Sequence, residues 1–95
     1  MKTIKDKGKR KGLEGLWEVV IFDRDLPHKS NQVAKVKNIA ATGTEDAKKV
    51  AIFLFTGKRP IRREELKEGE RGIFADEWYN VGKKKYDCLA NRTDV

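Results

Sequence analysis

The chain has 95 residues, of which 39% are charged and 38% hydrophobic, and its formal net charge is +7. This length predicts one small domain, and the apolar and aromatic content excludes a chain that is disordered throughout. No apolar run reaches the ~18 residues of a membrane span, and the basic N-terminus lacks the apolar stretch of a secretory signal. With Cys88 as the single cysteine, these features predict a reducing, cytoplasmic environment.

The positive charge is concentrated at the start of the chain. Residues 1–12 hold six cations and one anion, whereas the remaining residues hold sixteen cations and fourteen anions. We therefore expect residues 1–12 to form a flexible basic arm and residues 13–95 to form one globular domain. A solvated tail that only aids solubility is the alternative. The arm cations that we expect to bind a polyanion are Lys5, Lys7, Lys9, Arg10 and Lys11.

Two segments after the arm have the composition of strands. Residues 16–22 (LWEVVIF) are mostly β-branched or aromatic and predict a first strand that ends at Asp23. A polar loop with Pro27 follows. Residues 33–41 alternate loosely between apolar and polar and predict a second strand, in which the lysines share one face.

The longest apolar run is residues 50–55 (VAIFLF), and Gly57 closes it. Its short length and its β-branched and aromatic content predict a strand buried on both faces. The alternative is a helix over 44–55, because Thr42 and Glu45 have the spacing of a capping box and the apolar residues then share a helical face.

The last third of the chain predicts one short helix and two strands. Residues 61–68 (IRREELKE) are typical of a short helix that ends at Gly69. Residues 71–78 and 84–91 read as strands, separated by a turn that contains Gly82.

With a strand at 50–55, the order is three strands, a short helix and two strands. Over residues 16–91 this order resembles that of the five-stranded oligonucleotide-binding barrel, and the resemblance implies a small, mainly β domain with a closed sheet. With a helix at 44–55, the prediction becomes an α+β sandwich with an antiparallel sheet.

The final hairpin combines aromatic rings with a lysine cluster. Single-stranded nucleic acid is bound by rings that stack on bases and by ammonium groups that contact phosphates. Because Trp78 and Tyr79 point to opposite faces of a strand, we expect Tyr79 to be the exposed ring. The alternative is that the rings belong to the core and the lysines are merely solvated. The candidate binding residues here are Tyr79, Lys83, Lys84 and Lys85.

A second cationic cluster surrounds Pro60. Arginine forks bind phosphate with two hydrogen bonds, which makes Arg59, Arg62 and Arg63 candidate phosphate-binding residues. Four glutamates follow closely in the sequence, so a self-neutralised surface is the alternative interpretation.

Features of enzymes are missing from the sequence. His28 and Ser30 are the only histidine and serine, and two residues in one loop do not make a nucleophile with a base and an orienting group. One cysteine and one histidine do not make a structural zinc site, and no phosphate-binding glycine motif occurs. We expect no catalysis, no metal, no cofactor and no small-molecule substrate.

These observations predict a non-catalytic protein that binds nucleic acid, preferably single-stranded or RNA, through the arm and the basic aromatic hairpin. The alternative is a protein-interaction module that docks on an acidic protein surface, such as an inhibitor or assembly factor of the kind that viruses encode. A third possibility is a structural subunit of a large assembly, in which the arm orders on contact.

Overall fold

The computed structural model describes residues 1–6 and 15–94. These residues form a small, mainly β domain with one six-stranded sheet and one helix. In chain order the elements are β1 (Lys2–Lys5), β2 (Gly15–Asp23), β3 (Gln32–Ala41), α1 (Thr44–Thr56), β4 (Ile61–Gly69), β5 (Gly72–Val81) and β6 (Lys84–Arg92). The strands lie in the order β1-β3-β2-β6-β5-β4. Only β1 and β3 run parallel.

The strands predicted from alternation and β-branched content are confirmed. In β2, the fully buried Val19 and Ile21 alternate with half-buried neighbours, as expected for a strand with one face on the core. The predicted segments found as strands are 16–22 in β2, 33–41 in β3, 71–78 in β5 and 84–91 in β6.

The predicted strand over 50–55 is wrong, and the alternative helix is confirmed as α1. One side of α1 packs on the sheet with Ala47, Ala51 and Ile52 fully buried, whereas Phe53 is 46% exposed. The sheet offers a wide apolar face. A helix can therefore bury one stripe of the apolar residues against that face, and a strand buried on both sides is not required.

The N-terminus of α1 differs from the predicted capping box, and its C-terminus ends at a glycine. Gly43 is the N-cap and offers no side chain, while the backbone N–H of Thr42 donates to the carboxylate of Asp46 at 3.1 Å. At the other end, Gly57 has a left-handed φ of 78° and its N–H donates to the carbonyl of Phe53 at 2.8 Å. This C-terminal geometry suits glycine and explains why the helix ends there.

The predicted helix over 61–68 is also wrong, because this segment is strand β4. It pairs with β5 in one continuous antiparallel register, from Ile61 opposite Asn80 to Gly69 opposite Gly72. The turn leaves Gly72 with φ of 115°, a conformation that favours glycine. The tight turn after β4 and the pairing with β5 therefore outweigh the helix propensity of the glutamates and lysines in β4.

The closed oligonucleotide-binding-like barrel is not what the structure shows. The sheet is open, with β1 at one edge and β4 at the other. Among the described residues, α1 is the only helix, and it packs on one face of the sheet over β2, β3 and β6. The other face has no helix on it within these residues.

The first residues of the predicted arm include a strand of the sheet. Lys2–Lys5 form strand β1, where Ile4 lies opposite Val36 and packs against the core. Residues 7–12, and with them the expected boundary between arm and domain, fall outside the described residues. After β1, the N–H of Asp6 donates to the carbonyl of Lys37 at 2.8 Å, and Asn38 Nδ2 donates to the carbonyl of Asp6 at 3.1 Å.

Strand alternation divides the sheet into two faces. The face under α1 carries the core, including Val19, Ile21, Val36 and Tyr79. We call the opposite side the open face, because α1 does not cover it. Its side chains, assigned from the strand registers, include Lys5, Val20, Phe22, Lys35, Lys37, Arg63, Glu65, Lys67, Trp78, Lys85, Asp87 and Leu89.

Among the described residues, no helix is long and apolar enough to cross a membrane.

Candidate nucleic-acid interface

One group of cations lies where β1 meets β3. Lys5 is directly opposite Lys37 in the parallel register, and both side chains are exposed on the open face. Neighbouring strands are only about 5 Å apart, so the two lysine side chains leave the sheet side by side. Lys35 continues the row and forms an ion pair with Glu18 at 2.9 Å. We call Lys5, Lys35 and Lys37 the lysine row.

Within the described residues, only one of the three lysines of the row forms an ion pair. Lys35 has its partner in Glu18, but neither Lys5 nor Lys37 forms an ion pair there. Like charges that lie opposite each other on neighbouring strands repel, and an anion placed between them relieves that repulsion. The row is therefore suited to a phosphate group lying across β1 and β3.

Apolar side chains extend the open face from the lysine row toward the centre of the sheet. Val20 of β2 lies opposite Lys35 on one side and opposite Leu89 of β6 on the other. Leu89 is 54% exposed, and Phe22 is half-buried beside it in the sheet. A cationic row beside apolar and aromatic side chains is the combination that a single nucleic-acid strand contacts.

Trp78 is the second ring on the open face, and two cations flank it. The guanidinium carbon of Arg24 lies 5.0 Å from the ring centroid and Lys85 Nζ lies 5.7 Å from it. Arg24 Nη2 also donates to Asp76 Oδ2 at 2.9 Å. That hydrogen bond is the main reason why the pKa of Asp76 is lowered. The Trp78 ring therefore already has Arg24 and Lys85 of the same chain as its neighbours.

The expectation that Tyr79 is the exposed ring is wrong. Tyr79 is 1% exposed, because α1 covers the face of the sheet to which it points. Burial raises the pKa of its hydroxyl to about 12. The predicted alternation of Trp78 and Tyr79 is correct, but the position of the helix decided which of the two faces became the core.

The predicted lysine cluster at 83–85 is divided among three environments. Lys83 is exposed in the turn between β5 and β6. Lys84 Nζ forms an ion pair with Asp23 at 3.2 Å, and this hydrogen bond raises the pKa of Lys84. Lys85 lies over Trp78. Only Lys85 belongs to the open face, so the three residues do not form one phosphate-binding cluster.

The arginines around Pro60 also separate. Arg62 contacts Glu45 at 2.9 Å, Glu64 at 3.3 Å and Glu77 at 2.7 Å. The hydrogen bond to Glu77 is the main cause of the raised pKa of Arg62. Arg62 therefore links β4 to α1 and β5.

The two other arginines of this cluster are exposed, and neither forms an ion pair among the described residues. Arg63 lies on the open face in β4, opposite Trp78 of β5. Arg59 lies between α1 and β4. Because β4 and β1 are opposite edges of the sheet, neither arginine adjoins the lysine row.

The remaining predicted arm cations, Lys7, Lys9, Arg10 and Lys11, lie outside the described residues. They follow Asp6 directly, and Asp6 is hydrogen-bonded to Lys37 and Asn38 beside the lysine row. Strand β1 precedes this basic segment in the chain and β2 follows it, and both strands belong to the same sheet.

Sequence reasoning alone placed two of the three lysines of the row on one face. The alternation of Lys35 and Lys37 in a predicted strand indicated that they share a face. The proximity of Lys5 had no sequence signal, because pairing between β1 and β3 joins residues that are more than thirty positions apart.

No protein-family model, curated protein or solved structure matches this chain. The candidate interface is therefore interpreted from its own chemistry.

Proposed function

We propose that the protein binds single-stranded nucleic acid, with the lysine row and the basic segment that follows β1 contacting the phosphates. The observation that carries the proposal is the pairing of Lys5 with Lys37, which places side by side on the open face two cations that form no ion pair with any described residue. The role of Leu89, Val20 and Phe22 is to offer apolar surface to the bases next to that row.

The distribution of charge supports this choice of edge. The β4–β5 hairpin, residues 61–81, holds six acidic and four basic residues. This hairpin forms the edge of the sheet opposite β1. A polyanion is therefore attracted to the β1 edge and is not attracted to the hairpin.

The test is fluorescence anisotropy of labelled single-stranded DNA, single-stranded RNA and duplex over a series of salt concentrations. The double variant Lys5→Gln/Lys37→Gln removes the unpaired cations of the row. If both contact phosphates of a single strand, the variant weakens binding and reduces the slope of log affinity against log salt by about 1.4.

The matched control is Lys29→Gln/Lys58→Gln, which removes the same charge from two exposed lysines in loops away from the row. We expect this control to change affinity much less than the row variant. Equal losses in the two variants would mean that only net charge matters, and absence of salt-dependent binding in the unmodified protein would refute the proposal.

A protein-interaction module is the second candidate, and a separate observation favours it. Near the turn of the β4–β5 hairpin, Leu66 and Ile73 share one face and are 72% and 70% exposed. Exposed apolar side chains gathered at one site are typical of protein contacts. Leu66→Ser/Ile73→Ser discriminates the two functions, because it leaves nucleic-acid affinity unchanged and weakens a protein contact at the hairpin.

A further inference from the structure

Strand β4 is a long and regular edge of the sheet. It runs for nine residues and pairs with β5 without a bulge, and no proline interrupts it. The other edge, β1, has only four residues. Natural edge strands are commonly protected by shortness, bulges, prolines or charged side chains. Strand β4 has only the last of these, so its unpaired N–H and C=O groups are open to a strand whose charges are complementary.

The charges of β4 on the open face alternate in sign. Arg63, Glu65 and Lys67 follow one another at every second position, which places them in one row. Neither Arg63 nor Glu65 forms an ion pair among the described residues, while Lys67 contacts Asp76 at 3.2 Å. A row of the pattern plus, minus, plus is complementary to itself when a second copy runs antiparallel, because Glu65 then lies opposite a cation.

The other face of the same hairpin carries apolar groups without a cover. Leu66 lies opposite Ala75, and Ile73 is its diagonal neighbour on the same side of the hairpin. Both side chains are at least 70% exposed. A two-fold axis at Leu66 places the Leu66 side chains of two copies together and reduces this exposure.

We propose that β4 pairs antiparallel with β4 of a second copy about a two-fold axis at Leu66, which joins two open sheets into one continuous sheet. In this register, Glu65 of each copy faces Lys67 of the other, so the row contributes two equivalent ion pairs. Glu64 faces Glu68 of the other copy, which opposes the pairing and makes a weak dimer the expected form. The proposal does not depend on nucleic-acid binding.

The test is the mass of the full chain in solution, by sedimentation equilibrium over about 5 to 500 µM, because small interfaces associate in the micromolar range or more weakly. We expect a monomer–dimer equilibrium. Glu65→Lys makes the row entirely cationic and should lower the association constant at least tenfold. Asp25→Lys is the matched control, since it makes the same change of charge at an exposed loop residue and should leave association within about twofold.

A charge swap separates a specific pairing from a general effect of charge. Glu65→Lys/Lys67→Glu restores opposite charges across a two-fold axis at Leu66, so it should recover association that Glu65→Lys loses. Circular dichroism confirms that each variant is folded. Hydrogen exchange in the unmodified protein should show β4 amides that become more protected as concentration rises.

Three results would overturn the proposal: a monomer over the whole concentration range, an equal loss of association in Asp25→Lys, or no recovery in the charge swap. A strictly monomeric chain would leave the hairpin edge available to a strand of a different protein, which is a different proposal.

Discussion

Arg24 Nη2 donates a hydrogen bond to Asp76 Oδ2 at 2.9 Å, although 52 positions separate the two residues in sequence. Arg24 follows the end of β2, and Asp76 lies in the part of β5 that pairs only with β4. The backbone ladder between β5 and β6 covers only Tyr79 to Val81. The Arg24–Asp76 contact therefore attaches the hairpin to the rest of the sheet beyond the reach of that ladder.

Removing Arg24 should loosen this attachment. Arg24→Ala eliminates the ion pair with Asp76 and the contact with the Trp78 ring, so we expect the free energy of unfolding to fall by about 1–2 kcal/mol. Urea denaturation followed by tryptophan fluorescence measures it. The matched control is Arg63→Ala, which should change stability by less than about 0.5 kcal/mol. Equal effects of the two substitutions would show that the Arg24 contacts contribute nothing.

Glu77 should make stability depend on pH. Hydrogen bonds from Lys48 and Arg62 lower its pKa below the ordinary value of 4.5. The native state therefore favours the ionised carboxyl, so the stabilisation is complete above pH 4.5 and is lost as pH falls through the lowered pKa. Glu77→Gln should cost roughly 1 kcal/mol at pH 7, a figure reduced for solvent screening because the side chain is 35% exposed.

The measurement for Glu77 is urea unfolding of the unmodified protein and of Glu77→Gln at pH 7 and at about pH 3. The difference between them should shrink at the lower pH. Glu64→Gln is the control, since Glu64 forms a single exposed contact with Arg62 at 3.3 Å. A difference that stays constant between the two pH values would contradict the prediction.

Neighbouring residues of α1 should respond very differently to truncation. Ile52 is fully buried, so Ile52→Ala removes packed methylene groups and should cost about 3 kcal/mol of unfolding free energy. Phe53 is 46% exposed, and Phe53→Ala should cost about 1 kcal/mol or less. Chemical denaturation of the two variants checks this. Similar large losses would instead fit a strand that is buried on both faces.

Cys88 should be a slow nucleophile in the native protein. It packs against the core on the face under α1, and burial raises the pKa of its thiol to about 12. Because the thiolate is the reactive form, labelling by a disulfide reagent at about pH 8 should be at least about 100-fold slower than in the urea-unfolded chain. Equal labelling rates in the folded and unfolded states would refute this account.

Much of the sheet was predictable from local patterns. The β-branched and aromatic composition of residues 16–22 identified β2 with nearly correct bounds. The same reasoning located β3, β5 and β6. Strands β2 and β3 each have one face on the core, and the apolar residues that this face requires are visible in the sequence.

Two segments of similar length were assigned wrongly for opposite reasons. Residues 50–55 are β-branched and aromatic yet form α1, whereas residues 61–68 contain helix formers yet form β4. In the first case the apolar face of the sheet stabilises a helix, and in the second a tight turn and pairing with β5 stabilise a strand. Both decisions depend on non-local partners, which outweigh intrinsic propensity.

The candidate interface was also predicted only in part, because some of its features depend on local sequence and others on contacts between distant residues. The sequence identified the excess of cations near the N-terminus and the shared face of Lys35 and Lys37. It did not identify the pairing of Lys5 with Lys37, and it assigned the exposed ring to Tyr79. Those two points depend on which strands become neighbours and on which face the helix covers.

The sequence by itself determined that the chain has a compact β-rich core and that the basic residues cluster near its start. The strand composition of the segments that form β2, β3, β5 and β6 was also determined there, because composition and periodicity are properties of each segment alone. Only the tertiary structure decided that residues 44–56 form a helix, that the sheet stays open, and that Tyr79 is buried while the lysine row faces solvent. These features depend on contacts between residues far apart in sequence, and periodicity within a segment contains no information about its distant partners.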